Sequence, residues 1–131
     1  MPIEHRIDRE RRIVFAAARG ELTDKDLFEY QRGVWSDPAL AEYDEVVDVS
    51  DVTSIPVPSG RRAPELAELS ARMDAPGTST RFAIVAPSDF VYGMARMYAT
   101  YRGMQVQGTK QVEVFRSMAE ALEWLRPEAA G

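Results

Sequence analysis

The side chains that could do chemistry fall in four places along the chain. The first is His5, the only histidine, in a chain with no cysteine. A nucleophile–imidazole–carboxylate relay needs a histidine oriented by an acid and set beside a hydroxyl. Nothing around His5 supplies that frame, and a structural or solvent-facing histidine is the simpler expectation. One histidine and no thiol also make a poor donor set for a transition metal. The second place is an acidic run, Asp44, Glu45, Asp48 and Asp51. Paired carboxylates can exchange protons with a substrate. Asp48, however, alternates with Val47 and Val49, and the plainer reading is that Asp48 and Ser50 bond loop backbone or cap a neighbouring helix.

The third place is Ser59-Gly60-Arg61-Arg62, which leads into a helix. Free backbone N–H groups and two guanidiniums could hold an anion there; a solvated loop with exposed arginines is the alternative. The spacing is not that of a phosphate-binding P-loop, and no Gly-x-Gly-x-x-Gly occurs. The fourth is a helix crowded with Tyr92, Arg96, Met97, Tyr98 and Tyr101. Tyr92 and Arg96 stand one helical turn apart, so the ring can stack on the guanidinium. Phe90, Met94, Met97, Tyr98 and Tyr101 read as a core stripe, although methionine and tyrosine also line adaptable pockets. Gly93 lets another backbone approach this helix, so Arg96 is expected to face the loop from Ser50 to Arg62. No catalytic residue, metal site or cofactor is expected.

The elements that position these residues can be read from periodicity. Ile3 to Asp8 and Arg12 to Arg19 form a hairpin, ended by Gly20. Thr23 caps a helix with Leu27, Phe28, Gln31, Val34 and Trp35 on its inner stripe. Asp37-Pro38 starts a short helical turn. A strand covers Glu45 to Ser50, and a polar loop runs from Asp51 to Gly60. A helix follows from Arg62 to Asp74, with Leu66, Leu69 and Met73 facing in. Phe82 to Ala86 is wholly apolar, as a strand covered on both faces should be. Ser88 caps the next helix, Asp89 to Arg102. Val112, Val114 and Phe115 mark the last strand, and Ser117-x-x-Glu120 is a capping box opening the last helix. The order is ββαβαβαβα, an α/β arrangement with a mostly parallel sheet.

Composition sets the outer limits. The chain has 131 residues, 45% of them hydrophobic and 28% charged, with a net charge of −5. That length fits one domain over residues 1–131, with residues 127–131 expected to fray. The acidic balance argues against nucleic acid and against tight binding to anionic membranes. No apolar run approaches the ~20 residues needed to span a bilayer, so stable membrane insertion is not expected. The start, Met-Pro-Ile-Glu-His-Arg, lacks the apolar run of a signal peptide. With no cysteine to suggest an oxidising compartment, a cytoplasmic location is expected.

The segment from Val46 to Leu66, VVDVSDVTSIPVPSGRRAPEL, resembles the STAS domain, the fold of anti-sigma-factor antagonists and of sulfate-transporter tails. That family has an apolar strand ending Asp-Leu-Ser, then Gly-Val-Thr, then Asp-Ser-Ser-Gly opening a helix. Asp48, Ser50, Val52, Thr53, Ile55, Ser59 and Gly60 fit it, with one extra residue before Ser59. Gly20 to Leu27, Tyr92 to Tyr98, Val114 to Arg116 and Ala119 to Leu125 resemble the small stand-alone SpoIIAA-like proteins, which are grouped with STAS and SEC14-type lipid-binding domains. The resemblance implies a STAS (SpoIIAA-like) fold, with a five-stranded mixed, mostly parallel sheet and four main helices. It departs at the antagonists' phosphorylated serine and preceding Asp, which are Pro58 and Val57 here. Proline has no hydroxyl, so that kinase switch cannot operate at this position.

The expected function is a non-catalytic STAS-like module that binds a partner protein or a small ligand. The alternative is a carrier or sensor of an apolar or acyl ligand; an enzyme of undefined reaction is a third reading. In a parallel sheet, ligands gather beyond the carboxyl ends of the strands. The expected contact residues are therefore Ser50, Asp51, Ser59, Arg61, Arg62, Ser88, Tyr92 and Arg96, for a partner protein or an apolar or anionic small molecule. A homodimer is also expected, because Trp35, Tyr43 and Trp124 look too many to bury under short helices.

Overall fold

The computed structural model describes residues 3–127; of the tail expected to fray, 127–131, all but Pro127 lies outside them. The chain begins with strands β1 (Ile3–Asp8) and β2 (Ile13–Glu21), paired antiparallel from Ile3↔Ala18 to Asp8↔Ile13. In the connecting turn the Arg11 N–H donates to Asp8 Oδ1 at 2.9 Å, and Arg12 takes a left-handed φ of 56°. The strand does not stop at Gly20. It passes through that residue at φ 70°, a conformation glycine adopts without a Cβ clash.

Helix α1 (Asp24–Val34) is set by the expected cap: Thr23 Oγ1 accepts from the Asp26 N–H, while Asp26 Oδ2 accepts from the Thr23 N–H. A 3-10 turn at Pro38–Leu40 leads to β3 (Asp44–Ser54). The short helix α2 (Val57–Gly60) then precedes α3 (Ala63–Met73). Strand β4 (Thr80–Val85), helix α4 (Asp89–Gly103), strand β5 (Lys110–Phe115) and helix α5 (Met118–Leu125) complete the described residues.

The sheet order is β1-β2-β3-β4-β5, parallel from β2 onward. Each crossover moves one strand further in the same direction. Right-handed crossovers that all step the same way put their helices on the same face. Accordingly α1, α3 and α4 share one face, where Ala16, Val47, Val49, Phe82, Ile84 and Val114 meet Val91 and Ala95. The other face is covered by α5, whose Ala121 and Leu125 pack on Ile13, Phe15, Val46, Ala83 and Val85.

Four further expectations are corrected. Strand β3 continues to Ser54, and Val57–Gly60 is helical, where one continuous loop was expected from Asp51 to Gly60. The inner stripe of α4 is Val91, Ala95 and Arg102, with Tyr98 and Ala99 beside it; Phe90 is 57% exposed. Ser88 sits at the start of α4, but its hydroxyl caps nothing. The Ser117 hydroxyl accepts the Glu120 N–H at 3.2 Å, yet Glu120 does not return the bond, so only half of the capping box is made. The three aromatic residues that motivated the expected homodimer are half-buried, each with partners within the chain. Trp124 packs against Phe115, Tyr43 packs against the cluster of Val14 and Leu40, and Trp35 donates to Glu45.

Candidate functional site

Three helices laid side by side on one sheet face leave a chamber of about 130 Å³ between them and the strands. Its floor is sheet: Val47 and Val49 from β3, Phe82 and Ile84 from β4. These positions alternate along each strand, so they point to the same side. Val91, Met94, Ala95 and Tyr98 bring in α4 at helical spacing, and Leu27, Phe28 and Leu66 close the opposite side. The small side chains on this face, Ala95 and Ala63 among them, keep the helices from filling the space.

The two ends of the chamber are polar in different ways. At the rim, α2 is fastened to the start of α1. The Ser59 hydroxyl donates to Asp24 Oδ1 at 2.8 Å, and Arg62 Nη1 donates to Asp24 Oδ2 at 2.6 Å. These bonds hold the Asp24 carboxyl below its usual pKa, the Ser59 hydroxyl contributing most and Arg62 next. Arg62 is also tied to α3 and α1: Nε and Nη2 both donate to Glu65, and its guanidinium lies 4.5 Å from the Phe28 ring centroid. Gly60 sits where a Cβ would come within 3.1 Å of Met94 Cε, so α2 lies directly over α4.

The inner end is a chain of buried hydrogen bonds. Glu45, 2% exposed, accepts from the Tyr30 hydroxyl at 2.7 Å, from Trp35 Nε1 at 3.0 Å and from Lys110 Nζ at 2.9 Å. The Lys110 ammonium also lies 3.2 Å from the Trp35 ring centroid, which adds a cation–π attraction. Beside this group, Tyr98 donates to the Ser70 hydroxyl at 3.1 Å, and Ser70 donates to Gln31 Oε1 at 2.9 Å. Burial raises the pKa of both phenols, that of Tyr30 most strongly, with the Glu45 charge adding to it.

The eight residues expected to bind are not brought together. Ser59 and Arg62 line the chamber; the other six do not. Ser50 is exposed, and its N–H and hydroxyl both go to Asp48 Oδ1, the backbone-bonding arrangement expected of that pair. Asp51, Arg61 and Ser88 are exposed and make no side-chain bond among the described residues. Tyr92 does carry a stacked guanidinium, but it is that of Arg116, 3.9 Å from its ring centroid. Arg116 is held there by Pro87 O at 3.0 Å and Asp89 Oδ1 at 2.7 Å. Arg96 is exposed, and its guanidinium has no partner among the described residues, so the expected contact with the loop from Ser50 to Arg62 is not made.

The anion seat expected at Ser59–Arg62 meets a physical objection as well. The Ser59 hydroxyl is spent on Asp24, and the Arg62 guanidinium already faces two carboxylates, those of Asp24 and Glu65, which balance its charge. The buried groups Tyr30, Glu45, Ser70 and Lys110 were absent from the expected site. Gln31 was the visible signal, a polar residue in the middle of an apolar helical stripe.

No family model matches the chain, and no curated protein matches it significantly. Among solved structures, it is similar to an uncharacterized protein of the DUF3478 family from Shewanella loihica, described as having a SpoIIAA-like fold. The TM-score is 0.60 at 18% sequence identity, over 95% of this chain and 94% of the other. The strand order, the leading antiparallel hairpin and this likeness agree, and the chain has the SpoIIAA-like fold.

Proposed function

We propose that the chain is a non-catalytic binding module that holds a compact apolar molecule in the chamber between the sheet and helices α1, α3 and α4. The observation that carries this reading is the chamber itself, about 130 Å³ in volume with apolar walls. An apolar protein cavity of roughly 150 Å³ is enough to take up benzene. The carboxylates lining the chamber, Asp24 and Glu45, are each tied to a cation, so neither is left as a free base for acid–base work. The expected helix wall from Phe90 to Tyr101 enters this reading in altered form, with Val91, Met94, Ala95 and Tyr98 forming the wall.

The test is a titration of the protein with benzene, followed by backbone amide shifts. Saturable changes confined to Val49, Ile84, Val91, Ala95 and their neighbours support the reading. No saturable change up to the solubility of benzene overturns it.

A second reading has its own observation. Val57 is 67% exposed on α2, and Phe90 is 57% exposed at the start of α4. These helices meet through Gly60 and Met94 at the rim. Exposed apolar side chains beside a ligand mouth suit contact with a partner protein. Replacement of both by serine would weaken such a partnership and leave benzene uptake unchanged.

A further inference from the structure

We infer that the ligand of this chamber is electrically neutral, and that carboxylates and ammonium ions are rejected by ion pairs built into both of its ends. The inference rests on the chamber being the binding site and concerns which chemistry it admits.

Three charged side chains line the chamber: Asp24, Arg62 and Glu45. Each is satisfied by the protein. Arg62 makes one bond to Asp24 and two to Glu65, and the Ser59 hydroxyl is turned to Asp24 as well. A carboxylate arriving at the rim would face Asp24 and Glu65 across a single guanidinium, with the available hydroxyl already donated. At the inner end Glu45 holds Lys110, and both side chains are nearly solvent-free, 3% and 6% exposed. Lys110 is also covered by the Trp35 ring. An anion would have to break that pair to reach the ammonium. A cation would have to break it to reach the carboxylate. Either exchange leaves one buried charge without a partner, the costly outcome for an ion pair removed from water.

Apart from the N–H groups of the part-exposed Arg62 not used on Asp24 and Glu65, whose two carboxylates already balance its charge, the remaining hydrogen-bonding capacity is neutral. Gln31 Nε2 has two N–H groups and one recorded bond, to Met73 Sδ at 3.6 Å. Ser70 and Tyr98 keep lone pairs beyond the bonds described above. The raised phenol pKa values keep Tyr30 and Tyr98 uncharged over the working pH range. These groups can meet a hydroxyl, carbonyl or ring nitrogen, and they cannot balance a full charge brought into an apolar chamber.

Benzyl alcohol, benzoate and benzylammonium share one ring and differ in charge. Their dissociation constants for the intact protein at neutral pH, measured by amide shift titration, test the inference. The expected result is benzyl alcohol binding in the chamber at least about tenfold more tightly than either ion. Benzoate or benzylammonium binding within about threefold of the alcohol, at the same amides, overturns the neutral class while leaving the chamber as a ligand site. If none of the three perturbs the chamber amides, and benzene also fails to, the binding reading falls and this inference with it.

Discussion

Arg102 donates from both terminal guanidinium nitrogens to the two carboxylate oxygens of Asp74, at 3.0 and 3.1 Å, with both side chains at most 3% exposed. The pair joins the end of α4 to the end of α3. Asp74 Oδ2 also accepts the N–H groups of Thr109 and Lys110, so it fixes the start of β5 as well. Lys110 in turn reaches Glu45 at the start of β3. Two buried ion pairs thus tie the helices over the chamber to the amino ends of the strands. Such pairs are weak sources of net stability, but they set a definite arrangement and are costly to break from one side.

Replacement of one partner tests that directly. Arg102→Met should destabilise the protein by about 3–5 kcal/mol, because Asp74 is left as a buried carboxylate facing apolar side chains. Combining it with Asp74→Asn should cost less than the sum of the two single changes, since the charge is removed along with its partner. Denaturant midpoints of the three variants and the parent provide the check. Strict additivity would mean that the two residues act independently.

The architecture was legible in the sequence because it rests on local periodicity. Val46, Val47, Val49 and the run Phe82 to Ala86 are buried, and they lie in or next to β3 and β4, two of the inner strands, with helices on both faces of the sheet. The carboxyl end of β3 was misread for a physical reason. Beyond Asp48 it no longer pairs with β4 and keeps only β2 as a neighbour. Asp51, Thr53 and Ser54 are therefore exposed and have the composition of a loop. The stripe of α4 was misplaced because hydrophobicity favoured Phe90, whereas Arg102 is buried by a pairing with Asp74 that local spacing does not reveal. The chamber was hidden for the same reason. It exists only where three helices distant in sequence meet one sheet face, and its polar ends join residues as far apart as Asp24 and Arg62, or Glu45 and Lys110.

The tyrosines give a spectroscopic prediction. The chain has five, and Tyr30 and Tyr98 have phenol pKa values raised by burial. A group that stays neutral in the fold but ionises readily in the unfolded chain stabilises the fold below the unfolded pKa. That contribution is lost as pH rises from the unfolded value through the folded one. Phenolate absorbance should therefore include a late stage, from Tyr30 and Tyr98, that rises only as the protein unfolds in alkali. Tyr30→Phe should remove one equivalent from that stage. A late stage of unchanged size in Tyr30→Phe would contradict the buried network.

Acid should act at the rim with the usual carboxylate sign. Asp24 has a depressed pKa, so its contribution is present above the unfolded pKa and is lost as pH falls through the folded one. Asp44 has the opposite sign. Burial raises its pKa against the Arg81 backbone N–H at 2.8 Å, so its ionised form is unfavourable in the fold and acid relieves that cost. Asp24→Asn should therefore flatten the acid limb of stability against pH, whereas Asp44→Asn should steepen it. Equal acid limbs in the two variants would contradict both assignments.

The contact between Gly60 and Met94, both of which line the chamber, offers a way to alter it by a single methyl group. Gly60 has no positive φ, so alanine is compatible with its backbone. A glycine-to-alanine change of that kind favours folding by about 0.4–1 kcal/mol through the unfolded chain. Against it stands a contact of 3.1 Å between the new Cβ and Met94 Cε. The partner is the free end of a flexible side chain, so it can move at modest cost. The two effects nearly cancel, and Gly60→Ala should leave stability within about 0.5 kcal/mol of the parent. Met94 lines the chamber, however, and its displacement takes up ligand space. Benzene affinity should fall by about threefold or more at unchanged stability, a loss of roughly 0.7 kcal/mol. Gly60→Ala combined with Met94→Ala should restore uptake, because the obstructing side chain is then gone. If Gly60→Ala binds benzene as the parent does, Met94 does not control the space beneath α2.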